Sequence, residues 1–175
     1  HAHIFSEEFR EDFTEVLQRA EEKHVHRIMI VTTQPGEARQ AMAFAAQDPY
    51  RFQVAYGIHP EDITRVNEEM IREMEEIVSD PGITAVGEIG LDYHWEPMDK
   101  PLQMAFFDGQ MQIARDLDLP VIIHDREAHG DVFETVLRYP TVRGVFHGYS
   151  GSAEMARELV KRGWYIAFGG AATFK

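Results

Sequence analysis

Residues 119–124 read Leu-Pro-Val-Ile-Ile-His, and residues 142–147 read Val-Arg-Gly-Val-Phe-His. Each run is almost wholly apolar and ends in a histidine. Strands that are apolar on both faces are typical of buried parallel sheets. Four further runs of this kind are predicted as strands: Arg27–Thr33, Arg51–Gly57, Ile83–Gly87 and Trp164–Gly169.

Amphipathic stretches with helical periodicity separate these runs. Their apolar faces span Phe9–Ala20, Ala38–Ala45, Met70–Ile77, Met104–Ala114, Val132–Leu137 and Ala156–Val160. Glu7 and Glu8 should begin the first helix, because the helix dipole stabilises acidic side chains at its N-terminus. Ser152 should cap the last helix and Gly163 should end it. A βα unit repeated about six times, with right-handed crossovers, predicts an all-parallel α/β domain.

Two parallel architectures compete, an open doubly wound sheet and a (β/α)8 barrel. A complete barrel typically needs about 250 residues, and this chain has 175. We predict a TIM-type (β/α)8 barrel that is present only in part, with roughly the first seven strands. Residues 1–175 would form a single domain that lacks the last strand and helices.

The positions of the histidines favour the barrel over the open sheet. The strand ends of a barrel converge on one mouth, which holds the active site. Residues with metal-ligand chemistry stand at or just after these ends: His1, His3, His59, Glu88, His124 and His147. Each has a plain alternative, since a terminal His-x-His is often vector-derived, a loop glutamate is often only solvated, and a strand histidine often packs in the core. Their common placement predicts a metal site.

Other residues near the predicted mouth offer contacts to a substrate. Arg126 follows His124 by two residues and could hold a phosphate bidentately, although a surface ion pair is the simpler interpretation. His59 could also contact a phosphate. Tyr93, with its aromatic neighbours His94 and Trp95, could stack on unpaired bases or pack beneath the loops.

The composition limits the possible classes of protein. Hydrophobic residues make up 44% and charged residues 27%, which is ordinary for a globular domain. The chain has no cysteine and carries a net charge of −13. That charge argues against a protein that coats nucleic acid. No run approaches the roughly 20 apolar residues of a membrane helix, and we expect a cytoplasmic protein without membrane contact or an obligate protein partner.

Six stretches together resemble the TatD family of metal-dependent hydrolases and deoxyribonucleases. They are HAH (1–3), GIHPED (57–62), GEIGLDYHW (87–95), LPVIIHDRE (119–127), FHGYSGS (146–152) and FGGAATFK (168–175). The resemblance implies a TIM-type barrel with two metal ions, one held by His1 and His3 and the other by His124 and His147. Glu88 would bridge the two ions and would be the catalytic carboxylate.

The resemblance also implies an activity, the hydrolysis of DNA phosphodiester bonds from strand ends in the manner of a 3′–5′ exonuclease. Two divalent ions (Mg, Mn or Zn) would share the hydroxide that attacks phosphorus. The family's aspartate, in a Glu-Thr-Asp-x-Pro-Tyr-like motif, does not occur in these 175 residues. Asp125, Gly148 and His94 also depart from the family's usual residues.

Two other functions stay open at this stage. The same metal centre could hydrolyse an ester or amide, as amidohydrolases do, for example as a D-aminoacyl-tRNA deacylase. Alternatively, the chain could be an inactive, truncated barrel that serves as a binding protein. Activity on acyl esters would distinguish the first function from that of a nuclease. The number of metal ions bound per chain would distinguish an inactive binding protein from a metal-dependent enzyme.

Overall fold

The computed structural model describes residues 1–95 and 99–173, so Phe174 and Lys175 of the FGGAATFK stretch lie outside the described residues. The strands are β1 (Ile28–Thr32), β2 (Phe52–Tyr56), β3 (Ile83–Asp92), β4 (Val121–Arg126), β5 (Gly144–Phe146) and β6 (Tyr165–Ile166). The helices are α1 (Phe13–Glu22), α2 (Pro35–Ala45), α3 (Glu68–Val78), α4 (Lys100–Asp116), α5 (His129–Leu137) and α6 (Ala153–Lys161). Short 3₁₀ helices cover Glu7–Phe9, Ile63–Arg65 and Gly170–Thr173.

The six strands form one parallel sheet in chain order, from β1 to β6. The segment around Ala2 adds a seventh parallel position beside β1. The Ala2 N–H donates to the Met29 carbonyl at 2.9 Å, and the Val31 N–H donates to the Ala2 carbonyl at 3.1 Å. The predicted α/β class is confirmed, and among the described residues the sheet is not closed.

The two faces of the sheet bury different residues because side chains alternate along a strand. The helix-covered face contributes large apolar residues, such as Ile30, Ile123 and Phe146, which are fully buried. The opposite face carries a second, smaller cluster composed of Val31, Ala55, Ala85 and Ile122. The alternation sends every second residue at a strand's carboxyl end toward the same face, and this arrangement positions the site.

Several boundaries differ from the sequence prediction, and β5 and β6 are shorter than the predicted Val142–His147 and Trp164–Gly169. Glu7 and Glu8 lie in a 3₁₀ helix and α1 begins only at Phe13, the first residue whose ring contacts both Phe5 and Phe44. Strand β3 is expected to end at Gly87 but extends to Asp92, because β4 supplies pairing partners as far as Asp92, with a register shift between Gly87 and Ile89. Glu88 therefore lies inside the strand.

Both ends of α6 agree with the sequence prediction. The Ser152 side chain accepts a hydrogen bond from the Met155 N–H at 3.1 Å, and Gly163 follows the helix with a φ of 84°. Among the described residues, no helix is both long and apolar enough to cross a membrane.

Candidate metal centre

Glu88 lies at the centre of the polar cluster at the carboxyl ends of the strands. The residue is 4% exposed. Its Oε2 lies 3.3 Å from His1 Nε2 and 3.7 Å from His3 Nε2, whereas its Oε1 lies 3.1 Å from His124 Nδ1. The two carboxylate oxygens therefore face two different groups of imidazoles.

The first group consists of His1, His3 and His147. Pairing of Ala2 with β1 holds its two flanking histidines on one side of the chain. Their Nε2 atoms are 3.1 Å apart, and the His1 ring stacks on that of His147 with centroids 3.7 Å apart. His1, Glu88 and His147 each present a ligand atom within 4.8 Å of the others.

The second group consists of His124, Asp92 and His59. The Nε2 of His124 lies 2.9 Å from Asp92 Oδ2, so each of its ring nitrogens faces a carboxylate. The His59 ring meets that of His124 at a centroid distance of 4.4 Å. His59, Glu88 and His124 form a second set whose ligand atoms lie within 4.8 Å.

Asp92 is a site residue that the sequence analysis missed. It is 2% exposed, although it ends a strand that was expected to stop five residues earlier. The signal was the alternation within Glu88–Asp92, in which Ile89 and Leu91 separate polar or small residues. A strand with this pattern places Glu88 and Asp92 on one side.

Gly90 permits the close approach of β3 and β4. Its φ is 147°, and a Cβ at this position would lie 2.0 Å from the carbonyl oxygen of His124. Only glycine tolerates both conditions. The absence of a side chain here lets Glu88 and Asp92 contact His124 from the neighbouring strand.

Two buried glutamines of α4 hold the backbone of the strand ends. Gln103 accepts from the Asp92 N–H at 2.8 Å and donates to the Asp92 carbonyl at 2.8 Å. Gln110 does the same for Ile58, at 2.7 Å and 3.1 Å. The backbones that carry Asp92 and His59 are therefore fixed by side chains of one helix.

The charges of this cluster are strongly coupled. Burial acts to raise the pKa of Glu88, but hydrogen bonds with His124 and His3 outweigh it and hold that pKa well below its usual range. Burial acts to lower the pKa of His124, but Glu88 and Asp92 raise it above the ordinary value. Burial lowers the pKa of His147.

The pKa of His59, like that of His147, lies below the ordinary value for histidine. Burial and the nearby charge of His124 lower the pKa of His59 to about 4, so it is neutral at pH 7. Its Nδ1 accepts the backbone N–H of Glu61 at 3.3 Å. The ring proton of neutral His59 therefore resides on Nε2, which donates hydrogen bonds and cannot coordinate a cation in that tautomer.

The donor set fits divalent metal ions. Imidazole nitrogens and carboxylate oxygens suit Zn or Mn, and the carboxylates also accept Mg. Both nitrogens of His124 face anionic oxygens, and a neutral imidazole cannot donate to both. Either a second ring proton on His124 or a bound cation would offset this excess of negative charge, and the two would compete for the same place.

The loops above the site form a second layer of contacts. The Arg126 guanidinium lies 5.2 Å from the centroid of the exposed Trp95 ring. The Tyr93 hydroxyl donates to Asp131 at 2.6 Å, and the Lys100 ammonium lies 4.1 Å from the centroid of the Tyr93 ring. The polar atom of Tyr93 is thus already engaged, whereas the exposed Arg126 side chain acts electrostatically on Asp92 of the site.

The structure gathers most of the predicted site residues in one place. His1, His3, Glu88, His124 and His147 converge, with His59 beside them. His24 and His26 lie after α1 with their rings 5.9 Å apart, away from this cluster. His94 pairs with Glu127 at 2.7 Å, and His129 pairs with Asp125 at 2.8 Å.

The whole chain matches a family of known proteins. The family profile described as TatD related DNase matches residues 1–175. The metal-dependent hydrolase YabD of Bacillus subtilis is 37% identical over all of this chain, which covers 69% of the relative. The protein named 3'-5' ssDNA/RNA exonuclease TatD of Erwinia tasmaniensis is 29% identical over 95% of this chain and 65% of its own length.

A solved structure agrees with the fold. The crystal structure of YjjV, a TatD homologue from Escherichia coli, superposes with a TM-score of 0.90 and 29% identity over 99% of this chain and 68% of that protein. This match confirms the predicted TIM-type α/β fold, of which the described residues form an open part. The chain therefore belongs to the TatD-related DNase family, in which its relatives are named metal-dependent hydrolases.

Proposed function

We propose that this protein hydrolyses DNA phosphodiester bonds from the 3′ end of a strand, with two divalent ions as cofactors. The proposal rests on the position of the two carboxylate oxygens of Glu88. One oxygen faces His1 and His3, and the other faces His124. A carboxylate so placed would bridge two ions. The name of the Erwinia relative, a single-stranded DNA and RNA exonuclease, supports a nucleic-acid substrate.

The proposed ligands divide between the two groups. His1 and His3 lie near Oε2 of Glu88 and His147 groups with His1 and Glu88, so His147 would join the first ion, whereas the family resemblance assigns it to the second. His124 serves the other oxygen, with Asp92 as a further carboxylate. The bound ions would polarise a phosphoryl oxygen and activate the attacking water.

The chain's own residues would orient the phosphate. Neutral His59 directs its Nε2 proton toward a substrate oxygen, and its low pKa keeps that role unchanged at neutral pH. Arg126 supplies a permanent charge and a planar fork that matches two phosphate oxygens. Tyr93 would contribute by holding Lys100 beside the mouth.

The net charge of the chain, −13, affects which form of DNA can bind. A body of this charge repels an extended duplex, since binding to duplex phosphates requires cationic surface. Two divalent ions would place about four positive charges at the mouth alone. That distribution favours one strand end held at the mouth over lengthwise binding.

The test uses the full-length protein and a single-stranded oligonucleotide labelled at its 5′ end. We expect stepwise shortening from the 3′ end, and a loss of at least 100-fold in rate for Glu88→Gln with unchanged far-UV circular dichroism. Glu76→Gln, at an exposed acid on α3, is the matched control and should keep the parental rate. Turnover of an acyl ester or a D-aminoacyl-tRNA without cleavage of DNA would assign the site to that chemistry instead.

A further inference from the structure

A cavity of about 390 Å³ adjoins the metal centre, with residues 60–64 after β2 on one side and Asp92, Trp95 and Asp99 on the other. Its size falls within the range of small-molecule sites, about 300–1,000 Å³. The residues that matter for its chemistry are Pro60, Glu61, Thr64, Asp92, Trp95 and Asp99.

Asp92 connects this cavity to the centre. It lines the cavity, and its Oδ2 lies 2.9 Å from His124 Nε2. Gln103 fixes its backbone from below. A phosphodiester at the proposed metal centre would therefore have one of its two nucleosides next to the cavity.

Trp95 gives the cavity an aromatic wall. The residue is 55% exposed, whereas Trp164 is only 5% exposed. The Arg126 guanidinium and the His94 ring, 5.2 Å and 4.6 Å from the indole centroid, hold Trp95 in place. An exposed indole held in this way offers a surface on which a base of any sequence can stack.

The polar groups of the cavity make it selective. Glu61 and Asp99 present carboxylates, which accept hydrogen bonds but donate none when ionised. Asp99 is held in place as the cap of α4, where its Oδ1 accepts the Leu102 N–H at 3.0 Å. Cytosine, adenine and guanine carry exocyclic amino groups that donate to carboxylates, whereas thymine has no amino group and flanks its single N3–H donor with two carbonyl oxygens that carboxylates repel.

The same carboxylates act against a second phosphate. A strand that continued through the cavity would bring its next phosphate close to Glu61 or Asp99. The last nucleoside of a strand has no further phosphate on its 3′ side. The cavity therefore suits a terminal residue better than an internal one.

We infer that this cavity is the binding site for the 3′-terminal nucleoside of the strand, with Trp95 stacking on its base and Glu61 and Asp99 selecting bases that carry an exocyclic amino group. The inference rests on the proposed function and adds a substrate preference to it.

The first experiment measures binding alone, by quenching of tryptophan fluorescence in the full-length protein with Mg²⁺ present. We expect dCMP to bind at least fivefold more tightly than dTMP, with the quenching lost in Trp95→Phe. Glu61→Gln should bring the two affinities within twofold of each other, and Glu76→Gln should leave their ratio unchanged. Equal affinities for dCMP and dTMP, or no quenching by either, overturn the inference.

The second experiment separates this inference from the proposed function. Oligonucleotides that differ only in the 3′-terminal residue are compared, and removal of terminal dC should be at least fivefold faster than removal of dT at low substrate concentration. If DNA is degraded without regard to the terminal base, the cavity assignment is wrong and the nuclease stands. If dCMP is preferred in binding while no DNA is cleaved, the nuclease proposal is wrong and the nucleoside site stands.

Discussion

Gln103 and Gln110 lie seven residues apart on the same buried face of α4, and each holds both backbone groups of one residue at or just after the end of a strand. Seven residues make about two turns of helix, so the two amides project in the same direction. Through them, a single helix fixes the backbones at Ile58 and Asp92. The positions of His59 and Asp92 thus depend on a helix that contributes no ligand itself.

Replacement of Gln103 by leucine should destabilise the protein. The buried N–H and carbonyl of Asp92 would lose their partners, and each such group costs about 1–3 kcal/mol. We expect the free energy of unfolding, measured in urea, to fall by about 3 kcal/mol, with a lower rate of hydrolysis. Gln112→Leu, at an exposed position of the same helix, should change stability by less than 0.5 kcal/mol, on the order typical of surface substitutions. Equal effects of the two substitutions would contradict the proposed role of Gln103.

The sequence was sufficient to predict most elements, because apolar runs and helical faces report burial directly. It failed at β3, where the burial of Glu88 and Asp92 comes from partners on other strands and not from their own hydropathy. Gln103 and Gln110 were missed for the same reason. Both lie on the buried face of α4 together with Phe107. Two glutamines on an otherwise apolar helix face indicate buried hydrogen bonds to backbone groups.

Glu88→Gln should also lose metal. The glutamine amide has no net charge and only one oxygen, so it cannot offer an equivalent oxygen to each of two ions. We expect the number of bound divalent ions per chain, measured by elemental analysis after gel filtration, to fall by at least half. Unchanged ion content together with lost activity would mean that Glu88 acts on the substrate and not as a bridge.

The metal-free protein should lose stability in mild acid through His59. Its pKa is about 4 when folded and about 6.5 when unfolded, so between these values the unfolded chain binds more protons. The contribution of neutral His59 to the free energy of unfolding is therefore complete above pH 6.5. It falls by about 3 kcal/mol in total as the pH drops toward 4. The difference in unfolding free energy between the parent and His59→Gln, measured from pH 7 to pH 4 with chelator, should change by this amount. If the unfolding free energies of the parent and of His59→Gln change in parallel with pH, His59 titrates as an exposed histidine does.

Arg126→Lys should weaken substrate binding and leave the metal in place. Lysine keeps the charge but loses the bidentate fork, and loss of one charge-assisted hydrogen bond corresponds to about tenfold. We expect KM for single-stranded DNA to rise by about this factor, and Arg126→Ala to raise it further. Arg157→Lys, whose guanidinium pairs with Glu154 on α6, is the control. Parental cleavage by both Arg126 variants across a salt series would make Arg126 a surface residue.

Gly90 links the stability of the sheet to the chemistry of the centre. A side chain there would meet backbone atoms of His124, and no change of rotamer can relieve such a clash. Relief would require β3 and β4 to separate, which would move Glu88 and Asp92 away from His124. Stabilising changes in proteins often exact a loss of activity, but at Gly90 both properties would decline together. Directed evolution of this protein toward higher thermostability therefore has to leave this strand pair unchanged and work on the outer helices.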